Sequence, residues 1–185
     1  IGPSDVVVIG GGLAGCTAAV AATRNGASVV LIQNRPVLGG NASTEILTPP
    51  VGVAPSAYRK RYPLDPRETG LIEEYRTIGN QQVVEARLYS GRLLRFVRQE
   101  PRLALYLNTH ATGVEMQGGP GRGIAAVTTM DTRTGRRMRF PAKLFIDCTG
   151  DSVVGVAAGA DYRHGAESKA MHNEPWAPED ANPHT

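Results

Sequence analysis

A chain of 185 residues, 41% hydrophobic and 20% charged, is long enough to bury one good core and too apolar to be disordered. Its net charge of +3 makes nucleic acid a poor expectation, because the basic runs Tyr58-Arg59-Lys60-Arg61 and Arg133 to Arg139 come without a nucleic-acid-reading motif and read as solvated faces. Two cysteines, Cys16 and Cys148, exclude a disulfide framework and lack the spacing of a metal or iron–sulfur site, and the apolar runs are too short and glycine-broken to span a bilayer.

Val6 to Ile9 is a continuous β-branched run, the mark of a central strand covered on both faces. Leu13 to Asn25 is Ala-rich with small side chains, which predicts a helix lying close on that strand and stopping at Gly26. Ser28 to Ile32 predicts a second strand, completing a βαβ unit of Rossmann length. Five prolines between Pro49 and Pro66 predict a long loop over 49–66. A helical excursion over 67–100 follows. It holds a short helix from Glu68 to Thr77 and a longer amphipathic one from Gln81 to Gln99, with Val84, Leu88, Leu93, Phe96 and Val97 as its apolar side and Gly91 as a weak point.

From Leu103, "LALYLNTHATGVE" alternates and predicts one strand turning at Gly113. Ile124 to Thr129 and Met138 to Phe140 predict a hairpin bent at Thr134-Gly135, and Lys143 to Cys148 a last buried strand ending in Thr149-Gly150-Asp151. Val153 to Ala160 is small and apolar. Residues 1–160 therefore read as one nucleotide-binding domain, and 161–185 as the start of a substrate-facing or linker region that breaks off. The chain opens at Ile1, which leaves its compartment undecided between cytoplasmic and, after removal of a leader, periplasmic or secreted.

The chemistry concentrates at the first turn. Gly10, Gly12 and Gly15 form G-x-G-x-x-G between strand and helix, followed by Ala19. Gly10 permits the sharp turn, Gly12 admits a pyrophosphate against bare backbone, and Gly15 lets the helix approach the strand. The helix N-terminus at Leu13 and Ala14 offers unpaired N–H groups and positive dipole to an anion. The end of the second strand, where Asp or Glu would grip the adenosine ribose, carries Gln33, whose amide oxygen still accepts a hydrogen bond. Asn34 follows, and Arg35 is placed to lie over an adenine or reach a phosphate.

The fingerprint alone does not separate NAD from FAD. Three further features favour a long, extended cofactor: the bare Gly39-Gly40 pair beyond the second strand, backbone at Ala111 able to face an adenine edge, and the Thr149-Gly150-Asp151 opening. With "GGGLAG", "RPVLGGNAS" and "LFIDCTGD" followed by "AGA", nearly the whole chain resembles the N-terminal part of the FAD-dependent oxidoreductases with the glutathione-reductase-like two-dinucleotide-binding fold. That resemblance implies an α/β, Rossmann-like FAD-binding domain with a central parallel sheet, crossover helices and a β-hairpin or meander insertion. It implies FAD as cofactor, pyrophosphate at the first glycines, ribose at Gln33, Asn41, Ala42 and Ser43 near the ribitol or flavin ring, Ala111 at the adenine, and a closing contact from Thr149 and Gly150. It also implies a substrate-facing region and a flavin-covering segment from a missing part of the chain or a second chain, with a small molecule as substrate. An electron-transfer flavoprotein subunit of the heterodisulfide-reductase type is the alternative, and a nicotinamide-only Rossmann protein the second.

No catalytic residue emerges. Glu45 is the best-placed acid–base candidate, against a plain salt-bridged carboxylate. His110 sits beside the adenine position, and His164, His172 and His184 fall in the poorly periodic tail. Tyr58, Tyr62, Tyr75 and Trp176 could line a substrate wall but read better as packing residues. Cys16, in the first helical turn, has a position that lowers a thiol pKa but reads better as a small packing residue.

Overall fold

A computed structural model describes residues 2–48, 70–77, 88–118 and 123–183. Strand β1 (Ser4–Ile9) leads into helix α1 (Leu13–Arg24) and strand β2 (Val29–Ile32). A 3-10 turn at Gly40–Ala42 precedes helices α2 (Leu71–Thr77) and α3 (Tyr89–Arg98). Strands β3 (Leu103–Tyr106), β4 (Thr109–Met116), β5 (Ile124–Asp131) and β6 (Arg137–Asp147) follow, then short helices α4 (Val153–Ala157) and α5 (Lys169–His172). The six strands form one sheet in the order β3-β2-β1-β6-β5-β4. β3, β2, β1 and the second half of β6 run parallel, while β4, β5 and the first half of β6 form an antiparallel meander.

β1 and β2 are apolar throughout because alternate residues serve two cores. Val6, Val8, Val29 and Leu31 face α1 and α3, where they meet Cys16, Ala19, Val20, Leu93, Phe96 and Val97. Val7, Ile9, Val30 and Ile32 face the opposite way, against Ala111, Val127, Phe140 and Val154. Tyr106 and Phe140 meet edge-to-face at 4.8 Å in this second core. The buried residues of α1, Gly15, Cys16, Ala19, Val20 and Thr23, recur at helical spacing and are small, so the helix axis lies close to β1. Arg24 at its end bonds Glu74 of α2 and Glu100 after α3, and stacks over Phe96.

Two expected strands are arranged differently. The 103–114 run is two strands, broken at Asn108, which takes φ 52, so that β3 pairs with β2 and β4 with β5. Gly113 lies at a bulge within β4, with Gly113 opposite Thr128, and is not a turn. Conversely, the segments 138–140 and 143–148 belong largely to one strand, β6. It changes partner at Pro141: residues up to Pro141 pair with β5 and residues from Ala142 pair with β1. A proline without an N–H fits at that exchange of ladders.

The longer expected helix is seen from Tyr89, and Gly91 sits inside it with open space beside it, so the fold tolerates it at modest cost. Leu93, Phe96 and Val97 are buried as expected, whereas Leu88 is exposed at 41%. The Pro-rich loop 49–66, the basic run at Arg59 to Arg61, residues 81–87 with Val84, and Tyr58, Tyr62 and His184 lie outside the described residues. Residues 161–183 carry α5 and one isolated bridge, Ala166 to Asn182, and Trp176, expected to pack, is instead 98% exposed on this tail. Among the described residues no helix is long and apolar enough to cross a membrane.

Candidate functional site

Three turns meet at the carboxyl ends of the parallel strands. The first is Gly10–Gly12. Gly10 has φ 103, and a side chain there would run into the backbone of Cys148. Gly15 is equally constrained: a Cβ would overlap the carbonyl of Gly10, so this glycine sets how closely α1 lies on the turn. Gly12 is different. A Cβ on Gly12 would meet nothing within 4 Å, so the bare backbone there faces open space at the head of α1. The helix has no acidic residue in its first turn and no side-chain cap, leaving its first N–H groups for an external acceptor.

The second turn, from Asn34 to Gly40, folds back onto the first. Gly39 donates its N–H to the carbonyl of Gly11 at 2.8 Å and forms an isolated parallel bridge with Gly12. Leu38 is buried and holds this turn in the α1-side core. Ser90, buried on α3, donates to the Leu38 carbonyl at 2.8 Å and accepts from the Thr44 N–H at 2.9 Å. Nothing local in the sequence marks Ser90, because its partners lie 46 to 52 residues away.

The third turn follows β6. Asp147 accepts from the N–H and hydroxyl of Thr149 with one oxygen and from the N–H groups of Val154 and Gly155 with the other, at 2.7–3.0 Å. Burial raises its pKa, but these hydrogen bonds outweigh that and hold the carboxyl below the usual range. Asp147 thus caps α4 and shapes the Thr149-Gly150-Asp151 turn. Gly150 has φ 87.

The three turns enclose a cavity of about 970 Å³. Gly10, Gly12, Leu13, Ala14, Gln33, Asn34, Arg35, Gly39, Gly40, Asn41, Ala42, Ser43, Ala111, Thr149, Gly150 and Asp151 all line it. Gly15 does not; it packs beneath the turn. Ala111 reaches the wall from within β4, with the expected turn there replaced by strand. Ile46, Thr48, Thr109, His110, Cys148 and Val153 also line the wall. A carbon side chain on Gly10 or Gly39 is barred, while Gly12 and Gly150 leave room, so the wall is shaped for close approach of a phosphate-bearing molecule.

The model covering FAD dependent oxidoreductases matches residues 5–183. The chain belongs to the FAD dependent oxidoreductase family. FAD is the cofactor of this family, and the cradle just described fits its pyrophosphate. Among relatives, a 38-residue stretch is 60% identical to the fumarate reductase (cytochrome) of Shewanella frigidimarina, spanning 20% of this chain and 7% of that protein. THI4 of Thermovibrio ammonificans is similar in fold at TM-score 0.62 and 15% identity, over 97% of this chain and 76% of that one. The myxobacterial FAD-dependent halogenase CndH aligns at TM-score 0.60 and 17% identity, over 90% of this chain and 41% of its own.

The remaining candidate side chains have defined partners. Gln33 is buried, and its amide oxygen accepts from the Gly11 N–H at 2.8 Å, so it is already engaged within the protein rather than presented bare to a ribose. Arg35 and Glu45 form a two-bonded ion pair at 2.9 Å beside the cavity. The Arg35 guanidinium holds the Glu45 carboxyl below its ordinary range, the wrong direction for a proton donor near neutrality. Cys16 is fully buried, donates to the Gly11 carbonyl, and is pushed up to about 12 by burial and then by Cys148. It is a packing residue. His110 lines the wall; His164 and His172 lie on the exposed tail, contacting the Pro183 carbonyl and Glu167. Among the described residues no group of three His, Cys, Asp or Glu is placed to hold a metal.

Proposed function

We propose that this chain forms the dinucleotide-holding part of a flavin-dependent oxidoreductase acting on a small organic donor. The observation that carries the reading is the convergence of three glycine turns, at Gly12, Gly39-Gly40 and Gly150, on one cavity. Gly12, Leu13 and Ala14 hold the pyrophosphate with backbone N–H groups and the positive end of α1. Asn34 and Arg35 lie at the adenosine side together with Ala111, and Asn41, Ala42, Ser43, Thr149, Gly150 and Asp151 at the ribitol and ring side. When bound, FAD supplies the electron chemistry, and the protein positions it and shields it from water. This chain contributes binding and orientation, and no acid–base residue is assigned among the described residues.

A second polypeptide or further chain completes the site in this reading. From Ala142 to Asp147, β6 pairs with β1 on one side, and among the described residues no strand pairs with its other edge. Leu144, in the middle of that stretch, is 65% exposed, Ile46 and Val153 present apolar surface at the cavity wall, and Val156 on α4 is exposed as well. Residues 1–160 form the FAD-binding domain and 161–185 begin a linking or substrate-facing region. The alternative of an electron-transfer subunit shares the same cradle and differs only in its partner.

Flavin fluorescence titration of the purified chain tests the reading. FAD binding that is weakened by extra bulk at Gly12 supports it; FAD that does not bind even when the completing chain is supplied removes it.

A further inference from the structure

Gln33 stands where this type of nucleotide site usually has a carboxylate for the ribose diol. The amide does something that a carboxylate cannot. Its oxygen accepts from the N–H of Gly11 at 2.8 Å, and its nitrogen donates to the carbonyl of Val37 at 3.1 Å. The same Gly11 accepts from Gly39 through its carbonyl, and a side chain on Gly11 would press on Leu38 at 2.6 Å and on Gln33 itself at 2.9 Å. The backbone of Gln33 is fixed as well, its N–H to Tyr106 and its carbonyl to Thr109. Only 5% of the residue is exposed. One buried amide therefore links the first glycine turn to the start of the second.

We propose that Gln33 is a positioning residue that clamps the Gly10–Gly12 turn to the Val37–Gly40 turn, and that a carboxylate at this position opens the clamp. In a Gln33→Glu variant the ionised side chain accepts from Gly11 but sets its second oxygen against the Val37 carbonyl, two acceptors at the part-buried end of the clamp. Protonation removes the conflict, because a neutral carboxyl has one accepting oxygen and one donating O–H, as the amide has an acceptor and a donor. The clamp itself needs no cofactor; its effect on FAD rests on the function proposed above.

The titratable or charged groups that share the cavity wall with Gln33 or are bonded to its turn are Arg35, Glu45, His110, Cys148 and Asp151 on the wall, Tyr106 through its backbone carbonyl, and Cys16, whose thiol donates to the Gly11 carbonyl. Wild type and variants share all of them, so a difference that appears only when residue 33 carries a carboxyl belongs to that side chain. The test compares wild type, Gln33→Glu and Gln33→Met by thermal unfolding without ligand from pH 8 to pH 5, and by FAD fluorescence titration. Gln33→Glu is expected to unfold several degrees below wild type at pH 8, with the gap closing toward pH 5; Gln33→Met is expected to stay low at both. FAD affinity of Gln33→Glu at pH 8 falls about tenfold. A Gln33→Glu protein as stable as wild type at pH 8, or one binding FAD as tightly or more tightly, overturns the clamp. If wild type fails to bind FAD while the pH-dependent gap is present, the clamp stands and the FAD reading fails.

Discussion

Gly39 donates its backbone N–H to the carbonyl of Gly11 at 2.8 Å, and the two turns that carry them run side by side through the Gly12–Gly39 bridge. The second glycine pair is therefore a hydrogen-bonded extension of the first turn. Gly40 continues the contact: a Cβ there would sit 3.3 Å from the Gly12 Cα. A molecule lying on Gly12 must also pass Gly40, and this is what lengthens a mononucleotide notch into a groove.

Gly10 and Gly12 separate folding from binding. Gly10→Ala places a methyl into the Cys148 backbone at φ 103 and is expected to cost about 2–4 kcal/mol in urea unfolding. Gly12 has φ −69 and open space, so Gly12→Ala leaves apo stability within about 0.5 kcal/mol while weakening FAD about tenfold or more. Unfolding curves and flavin titrations on the pair read the two effects independently.

Ser90→Ala removes the tie from α3 to Leu38 and Thr44. The expected loss is about 1–2 kcal/mol, since a buried carbonyl and a partly buried N–H lose a partner. FAD affinity falls with it, because the Gly39-Gly40 turn loosens. Ser90→Thr, which keeps the hydroxyl, is expected to retain more of both than Ser90→Ala.

Asp147 ties stability to pH. Its folded pKa is depressed, so its contribution is full above the unfolded value near 3.9 and is lost as pH falls through the folded one. Asp147→Asn places an NH2 against one set of N–H donors. It is expected to cost about 1–2 kcal/mol at pH 7, toward the lower value because the side chain is only half-buried. The gap between variant and wild type shrinks below about pH 4. Chemical denaturation across pH checks both parts.

The two thiols differ in reach. Cys16 is fully buried with its pKa pushed up to about 12, and it is expected to react with a thiol reagent at pH 8 only after unfolding. Cys148 is half-buried on the cavity wall, and burial raises its pKa as well, so it reacts slowly in the native protein. Added FAD slows that reaction further. Timed thiol titration of wild type, Cys16→Ser and Cys148→Ser assigns each phase.

What was legible in the sequence is what local pattern encodes. The strand–turn–helix around Gly10, Gly12 and Gly15 follows from periodicity and glycine placement within one short segment. Gln33 shows the limit: its position marks the ribose end of the strand, but its partners Gly11 and Val37 become neighbours only when the two turns fold together. The long strand β6 was hidden by Pro141, which reads as a break when its ladders are unknown and is a change of partner once β1 and β5 are in place. Asn108 concealed the division between β3 and β4 for a related reason. An alternating run gives no sign that a single left-handed residue redirects it from a parallel to an antiparallel neighbour. Ser90 carries no motif, and Asp147, although inside the LFIDCTGD run, shows nothing there of its partners, because each acts on backbone groups that only the fold presents.

In the function proposed above, a single extended dinucleotide touches all three turns. Backbone amide NMR on the chain, titrated separately with ADP and with FAD, tests it most directly. ADP is expected to shift Gly12, Leu13 and Ala14, and FAD those amides together with Gly40, Asn41 and Gly150. FAD shifts confined to the Gly12–Ala14 turn, with Gly40 and Gly150 unmoved, would contradict it.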